Sequence, residues 1–261
     1  MEMSDTQIQG STTVLVSFVQ DRSGSMGSVW DETLNGFRSF VKELKEKGPK
    51  DGVTYLFSLT TFDTMVETPL VAVPIEQVDE NELSKHGPRG STALLDAVGK
   101  TIEDTDKLRQ GPQKVIVVIV TDGQENSSRE WTKDTLHKVI DAKLTAGNWT
   151  FTYLGTQPET WDDAGHLGVG AGSTATYIPT MAPAAYAATA NAVHCLSKST
   201  HSGTRSLMAD YIPDDVAATA GMRVDTHTGG PPQPQAIPPQ PQQAPPPPCP
   251  TPRTRPSGRW R

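Results

Sequence analysis

The chain has 261 residues, 35% of them hydrophobic and 20% charged, with a formal net charge of −7. That is enough apolar material to core one large domain or two small ones, so the starting class is a soluble globular protein. The four arginines of the last 31 residues leave residues 1–230 at −11, a charge that repels a phosphate backbone and argues against nucleic-acid binding by the body of the chain.

In chain order, the amino terminus MEMSDTQIQG is acidic and has neither the basic start nor the apolar run of a secretory signal. The longest apolar runs, VLVSFV and VIVVIV, fall far short of the ~20 residues that span a bilayer. A cytoplasmic protein without membrane association is expected, with residues 1–12 as a disordered lead-in. The first strand, Thr13–Val19, runs into DRSGSMG. Phe37, Phe40, Val41 and Leu44 then recur at helical spacing until Gly48-Pro49 stops the helix. Strands Val53–Thr61 and Met65–Val73 meet at TTFDTMV with no room for a crossover helix, which predicts an antiparallel hairpin at one sheet edge.

Next comes GPRGSTALLDA, where Ser91 or Thr92 is placed to cap a helix carrying Leu95, Val98 and Ile102. Val115–Val120, apolar at every position, suits a central strand buried on both faces, and it ends in TDGQENS. A helix from about Trp131 to Ala146, with Val139 and Ile140 inside it and Gly147 as its stop, leads to a strand at Trp149–Leu154. An alanine-rich helix is expected over Pro183–Lys198. Residues 201–230 read as a linker or weakly ordered segment. From Pro231 the sequence has 13 prolines in 31 residues, which predicts a disordered, partly polyproline-II tail. The six histidines lack metal-ligand spacing, and Cys195 and Cys249 belong to no CxxC or Cys/His pattern, so both read as free thiols. The alternation of strands and helices predicts an α/β fold: a doubly wound, mostly parallel central sheet with one antiparallel edge strand and helices on both faces.

In such a sheet, ligands bind outside the carboxyl ends of the strands where the strand order reverses. Two strands end in acids there, Asp21 and Asp122, and the loop with Ser91 and Thr92 opens a helix that leaves the same edge. Ser23, Ser25 and Thr92 with Asp21 and Asp122 make an all-oxygen set, which suits a hard cation such as Mg²⁺, Mn²⁺ or Ca²⁺. Taken singly, Asp21 and Ser23 read as an Asx-type turn and Thr92 as a helix cap. All five at the carboxyl-side loops of one sheet read as a metal site. Trp30, Asp31, Ser91 and Glu125 are candidates for its rim, although Trp30 also suits a packing role and Glu125, Asn126 and Ser127 also suit a solvated loop. Asp63 reads as a turn residue.

D-R-S-G-S, G-S-T-A-L-L-D-A and V-T-D-G, in this order and spacing, resemble the von Willebrand factor A domain family and its metal-ion-dependent adhesion site. The resemblance covers roughly Thr13–Ser199, is to a small bacterial or phage-type intracellular member, and does not extend to the tail. It implies that Ser23 and Ser25 bind the ion directly, and that Thr92, Asp21 and Asp122 bind it directly or through water. It also implies partner capture: with one acid acting through water, a divalent ion keeps positive charge and an open position for a partner protein's Asp or Glu.

Two other readings compete. A metal-assisted hydrolase or phosphatase on the same site needs a general base, for which Glu125 and Asp63 are the nearby candidates. A scaffold binding through its proline-rich tail needs no working metal site. No nucleophile with a base, GxxxxGK[ST] loop or GxGxxG loop is present, so a non-enzymatic binding module is the expectation. The sequence leaves the oligomeric state open.

Overall fold

Parallel strands that alternate with helices bury their backbone on both faces, and this chain does so around a seven-stranded sheet. The computed structural model describes residues 12–111, 113–157, 159–199 and 208–224. The expected disordered lead-in and the tail from residue 231, including Cys249, lie outside them, apart from Thr12, which opens the first strand. All described residues belong to one unit, Met1–Pro231.

The strands are β1 (Thr12–Asp21), β2 (Val53–Phe62), β3 (Val66–Pro74), β4 (Lys114–Val120), β5 (Trp149–Gly155), β6 (Thr174–Tyr177) and β7 (Met222–Val224). Their spatial order is β3-β2-β1-β4-β5-β6-β7. The order therefore reverses between β1 and β4, which pair in parallel with Gln20 opposite Val120. As the sequence predicts, β2 and β3 form an antiparallel hairpin at one edge.

Helices α1 (Trp30–Lys47) and α5 (Ala182–Lys198) cover one face, and α2 (Leu94–Leu108) and α3 (Lys133–Thr145) cover the other. The period of two along β1 serves both: Val14, Val16 and Phe18 enter the α1/α5 core, whereas Leu15 and Val19 enter the α2/α3 core. Phe18 is the centre of the first, with ring centroids 4.9 Å from Phe40, 5.6 Å from Phe37 and 6.1 Å from Tyr186. Helix α1 approaches α5 closely because position 36 is glycine: a Cβ there would meet the Tyr186 ring at 2.9 Å.

Several expectations need correction. Neither Ser91 nor Thr92 caps α2, which begins at Leu94 after Ala93 with no side-chain cap of its own. Helix α3 starts two residues later than Trp131, because Thr132 and Thr135 form a reciprocal capping box. Of the stretch 201–230, expected as a linker or weakly ordered segment, residues 208–224 are described and contribute α6 (Asp214–Thr219) and β7, which pairs antiparallel with β6. Strands of four and three residues are too short to show periodicity, which hides β6 and β7 in the sequence. Helix α4 (Thr160–His166), seven residues long, escapes for the same reason. Among the described residues, no helix is long and apolar enough to cross a membrane.

Met222 in β7 is 5% exposed and joins the α1/α5 core with Ile212 and Ala217. Met222→Ala should therefore cost about 2–5 kcal/mol in denaturant unfolding. An unchanged midpoint would mean that this segment is a linker after all.

Candidate metal centre

Asp21 is the last residue of β1 and is fully buried. Its Oδ1 accepts the Ser23 N–H at 2.6 Å, and its Oδ2 accepts the Thr121 hydroxyl at 2.5 Å. The chain then turns through a short 3-10 segment, Gly24–Val29, into α1. Within that turn Ser23 Oγ lies 3.0 Å from Ser25 Oγ, and Ser25 Oγ donates to Asp122 Oδ1 at 2.9 Å. Opposite them stands Gly123. A Cβ at that glycine would lie 3.2 Å from Ser25 Oγ, 3.2 Å from Thr92 Oγ1 and 3.6 Å from Asp21 Oδ2. Oxygens from two separate loops thus face one small volume beside a third loop, and that volume remains clear because residue 123 has no side chain. Asp21, Ser23, Ser25, Thr92 and Asp122, which are spread over 102 residues of sequence, meet at this place. Ser25 is exposed, so the cluster opens to solvent.

Thr92 is held from across the crevice. Its N–H donates to Asn126 Oδ1 at 2.9 Å, and its carbonyl accepts the N–H groups of Asn126 and Ser127. Glu125 does not act as a free rim residue. Its carboxylate accepts from Leu95 N–H at 3.0 Å, Ser127 N–H at 2.9 Å, and both the N–H and the hydroxyl of Ser128 at 2.7 Å. It supplies the cap that α2 lacks, placing negative charge at a helix N-terminus. Asp96 on α2 reciprocates by accepting the N–H groups of Arg129, Glu130 and Trp131. The loop after β4 and the start of α2 therefore position each other.

Of the other rim candidates, Trp30 is half-buried against the α1/α5 core, which favours the packing role. Asp31 is exposed in the first turn of α1. Ser91 is exposed and held by its N–H to Thr64 Oγ1 at 2.9 Å. Asp63 is more than a turn residue. Arg22, 3% exposed, and Arg89 both reach its carboxylate, at 3.0 and 2.8 Å, and both also pair with Glu67. Burial raises the Asp63 carboxyl, but the bonds from Arg89 and Met65 N–H and the charge of Arg22 outweigh it and hold the pKa below the usual value.

The electrostatics of Asp21 are the opposite. Burial pushes its carboxyl up to about 6, against the hydrogen bonds from Thr121 and Ser23, and the neighbouring Asp122 adds to the rise. Burial likewise raises Asp122. Among the described residues neither carboxylate forms a salt bridge, because Arg22, next to Asp21 in sequence, is committed to the hairpin acids. Buried carboxylates without a cation are costly, and a cation lowers that cost. No cluster of three or more His, Cys, Asp or Glu side chains among the described residues is arranged for a metal. What this place offers is two carboxylates with three hydroxyls, a donor set that fits a hard divalent ion. Thr121 and Gly123, which orient Asp21 and clear the crevice, were missed in the sequence; their signal is the T-D-G triplet itself.

No family model and no curated protein matches the chain. Solved structures do. The chain is similar to proximal thread matrix protein 1 from the mussel byssus, with 14% identity and a TM-score of 0.52 over 82% of this chain and 48% of that one. It is also similar to the pilus adhesin SpaC from Lactobacillus rhamnosus GG, at 13% identity and TM-score 0.56 over 72% and 31%. The PilB minor pilin from Streptococcus sanguinis gives 14% and 0.52 over 72% and 62%. The chain thus spans less than two thirds of each, and at these identities the likeness shows the fold alone.

Because Asp21 titrates near 6 in the fold and at 3.8 when unfolded, the folded state binds its proton more tightly between these values. Stability should therefore fall as pH rises through that window, by about 3 kcal/mol in chelating buffer. The comparison is with Asp21→Asn, which shares every other titrating group. Unfolding of the two proteins from pH 4 to 7 should show the parent losing ground; parallel curves would contradict the burial of the charge.

Proposed function

We propose that the chain is a divalent-metal-dependent protein-binding module of the von Willebrand factor A type, which captures an acidic side chain of a partner protein. The observation that carries this reading is the convergence of Asp21, Ser25 and Thr92 oxygens on the clear volume beside Gly123, with Ser23 and Asp122 bonded to Ser25. In this reading Ser23, Ser25 and Thr92 hold Mg²⁺ or Mn²⁺ (or Ca²⁺), with Asp21 and Asp122 as the acids. The bound ion would supply positive charge and an open position for a carboxylate oxygen. Thr121 keeps Asp21 turned toward the site, and the loop after β4 keeps Thr92 in place. A structure of the mussel protein is described with zinc in its MIDAS motif; for this chain the metal rests on its own residues.

The non-enzymatic reading is supported by the fate of the two carboxylates considered as bases. Glu125 is bound by four donors and Asp63 by two arginines, so neither is available to take a proton from water.

Mg²⁺ or Mn²⁺ should raise the melting temperature, equivalent to roughly 2.7 kcal/mol at a hundredfold excess over the dissociation constant. Gly123→Ala places a methyl group against Ser25 and Thr92 and should abolish most of that gain while leaving the metal-free melting temperature near the parent's. Partner capture from the native cell should disappear in chelator. Capture that persists unchanged there would refute the role of the ion.

A further inference from the structure

Adjoining the metal centre, the carboxyl ends of β4 and β5 and the start of α4 enclose a cavity of about 90 Å³. Asp122, Gln124, Tyr153, Gln157, Glu159 and Asp163 line it. Its three carboxylates come from three segments: the loop after β4, the residue before α4, and α4 itself. Among the described residues, neither Glu159 nor Asp163 enters a salt bridge or a side-chain hydrogen bond. Asp163 is half-buried, and burial raises its carboxyl; the charges of Asp162 and Glu159 add to the rise, and those of Lys133 and His166 oppose it. Tyr153 adds an independent feature. It is 1% exposed, its hydroxyl has no hydrogen-bond partner among the described residues, and it lies within the field of Asp163 and Asp21. Because Tyr153 lines the cavity, a ligand there can complete its hydroxyl.

The lining identifies the class of ligand. Three acids repel an anion. A divalent ion needs ligands on one point, and no group of three acidic, His or Cys side chains among the described residues is so arranged. A cation with several donors pointing in different directions fits acceptors drawn from a strand end, a loop and a helix. The compact ammonium, with three rotatable donors, has that shape, whereas the planar guanidinium favours a single bidentate carboxylate.

We propose that this cavity is a subsite for a primary ammonium group, supplied by a partner lysine that neighbours the acidic residue captured at the metal. Only the pairing of the two groups rests on the metal-dependent reading; recognition of the ammonium by Asp163, Glu159 and Tyr153 does not need the ion.

The test uses the full chain and n-butylammonium chloride, followed by amide NMR in chelator. Saturable shifts should centre on Gly123, Gln124, Gln157 and Glu159. Asp163→Asn and Glu159→Gln, which remove no bond within the fold, should each weaken binding about tenfold, and Tyr153→Phe severalfold. Tetramethylammonium, which has no donors, should give no saturable shift. Equal shifts with tetramethylammonium, or parent-like affinity in Asp163→Asn, would overturn the proposal. In a second arm with Mg²⁺, acetyl-Asp-Gly-Lys-amide should bind about tenfold more tightly than the same peptide with norleucine for lysine, an advantage lost in Asp163→Asn. Butylammonium binding without that advantage would make a free amine the occupant and overturn the partner lysine. Because the first arm contains no metal, a failure of the metal reading leaves its result standing, and the two failures are told apart.

Discussion

The structure turns on one buried charge, the Asp21 carboxylate at the end of β1. A carboxylate out of water needs donors or a cation, and the fold supplies donors on one side only: the Thr121 hydroxyl and the Ser23 N–H. The first exists because β1 and β4 are neighbours in register up to Gln20 and Val120, and the second is local to the turn after β1. The remaining face of Asp21 is turned toward Ser25, Thr92 and the bare Gly123. Arg22, just past the end of β1, does not neutralise it. Its guanidinium goes instead to Asp63 and Glu67, where Arg89 completes a balanced set of two cations and two anions. At the end of β1 the carboxylates left without a cation are thereby Asp21 and Asp122.

Two kinds of contact keep that geometry from collapsing. The hairpin loop and the loop before α2 are tied to the first turn through backbone bonds, Arg22 N–H to the Phe62 carbonyl and Gly24 N–H to the Gly90 carbonyl. Gly90 adopts a left-handed φ of +67°, and a Cβ there would press on Thr64 Oγ1 at 2.7 Å, so glycine is required on both counts. On the other side, Glu125 and Asp96 exchange bonds between the loop after β4 and the start of α2. Neither feature touches the clear volume, yet together they fix the distance between Thr92 and Ser25.

Much of this was legible in the sequence because it is carried by strong local signals. Val115–Val120 has no polar residue and is buried from end to end on both faces. TTFDTMV leaves no length for a crossover, and its strands do pair antiparallel. Four of the five candidate residues stand at or just after the ends of β1 and β4, which parallel pairing brings to one edge, and Thr92 comes from the loop before α2. What stayed hidden depends on partners distant in sequence. The cap of α2 comes from Glu125, thirty residues on, and no capping pattern near Thr92 reveals it. Asp63 resembles an ordinary turn acid until Arg22 and Arg89 are seen to converge on it. Strands β6 and β7 are pinned by the edge of a sheet that must already exist.

The central claim is that Asp21 and Asp122, with Ser23, Ser25 and Thr92, hold one divalent ion. The most direct measurement is the anomalous scattering of crystals grown with Mn²⁺ at neutral pH. The account predicts one dominant peak beside Gly123, bonded to the hydroxyls of Ser23 and Ser25. A dominant peak at exposed carboxylates elsewhere, with Ser25 still bonded to Asp122 and none beside Gly123, would contradict it.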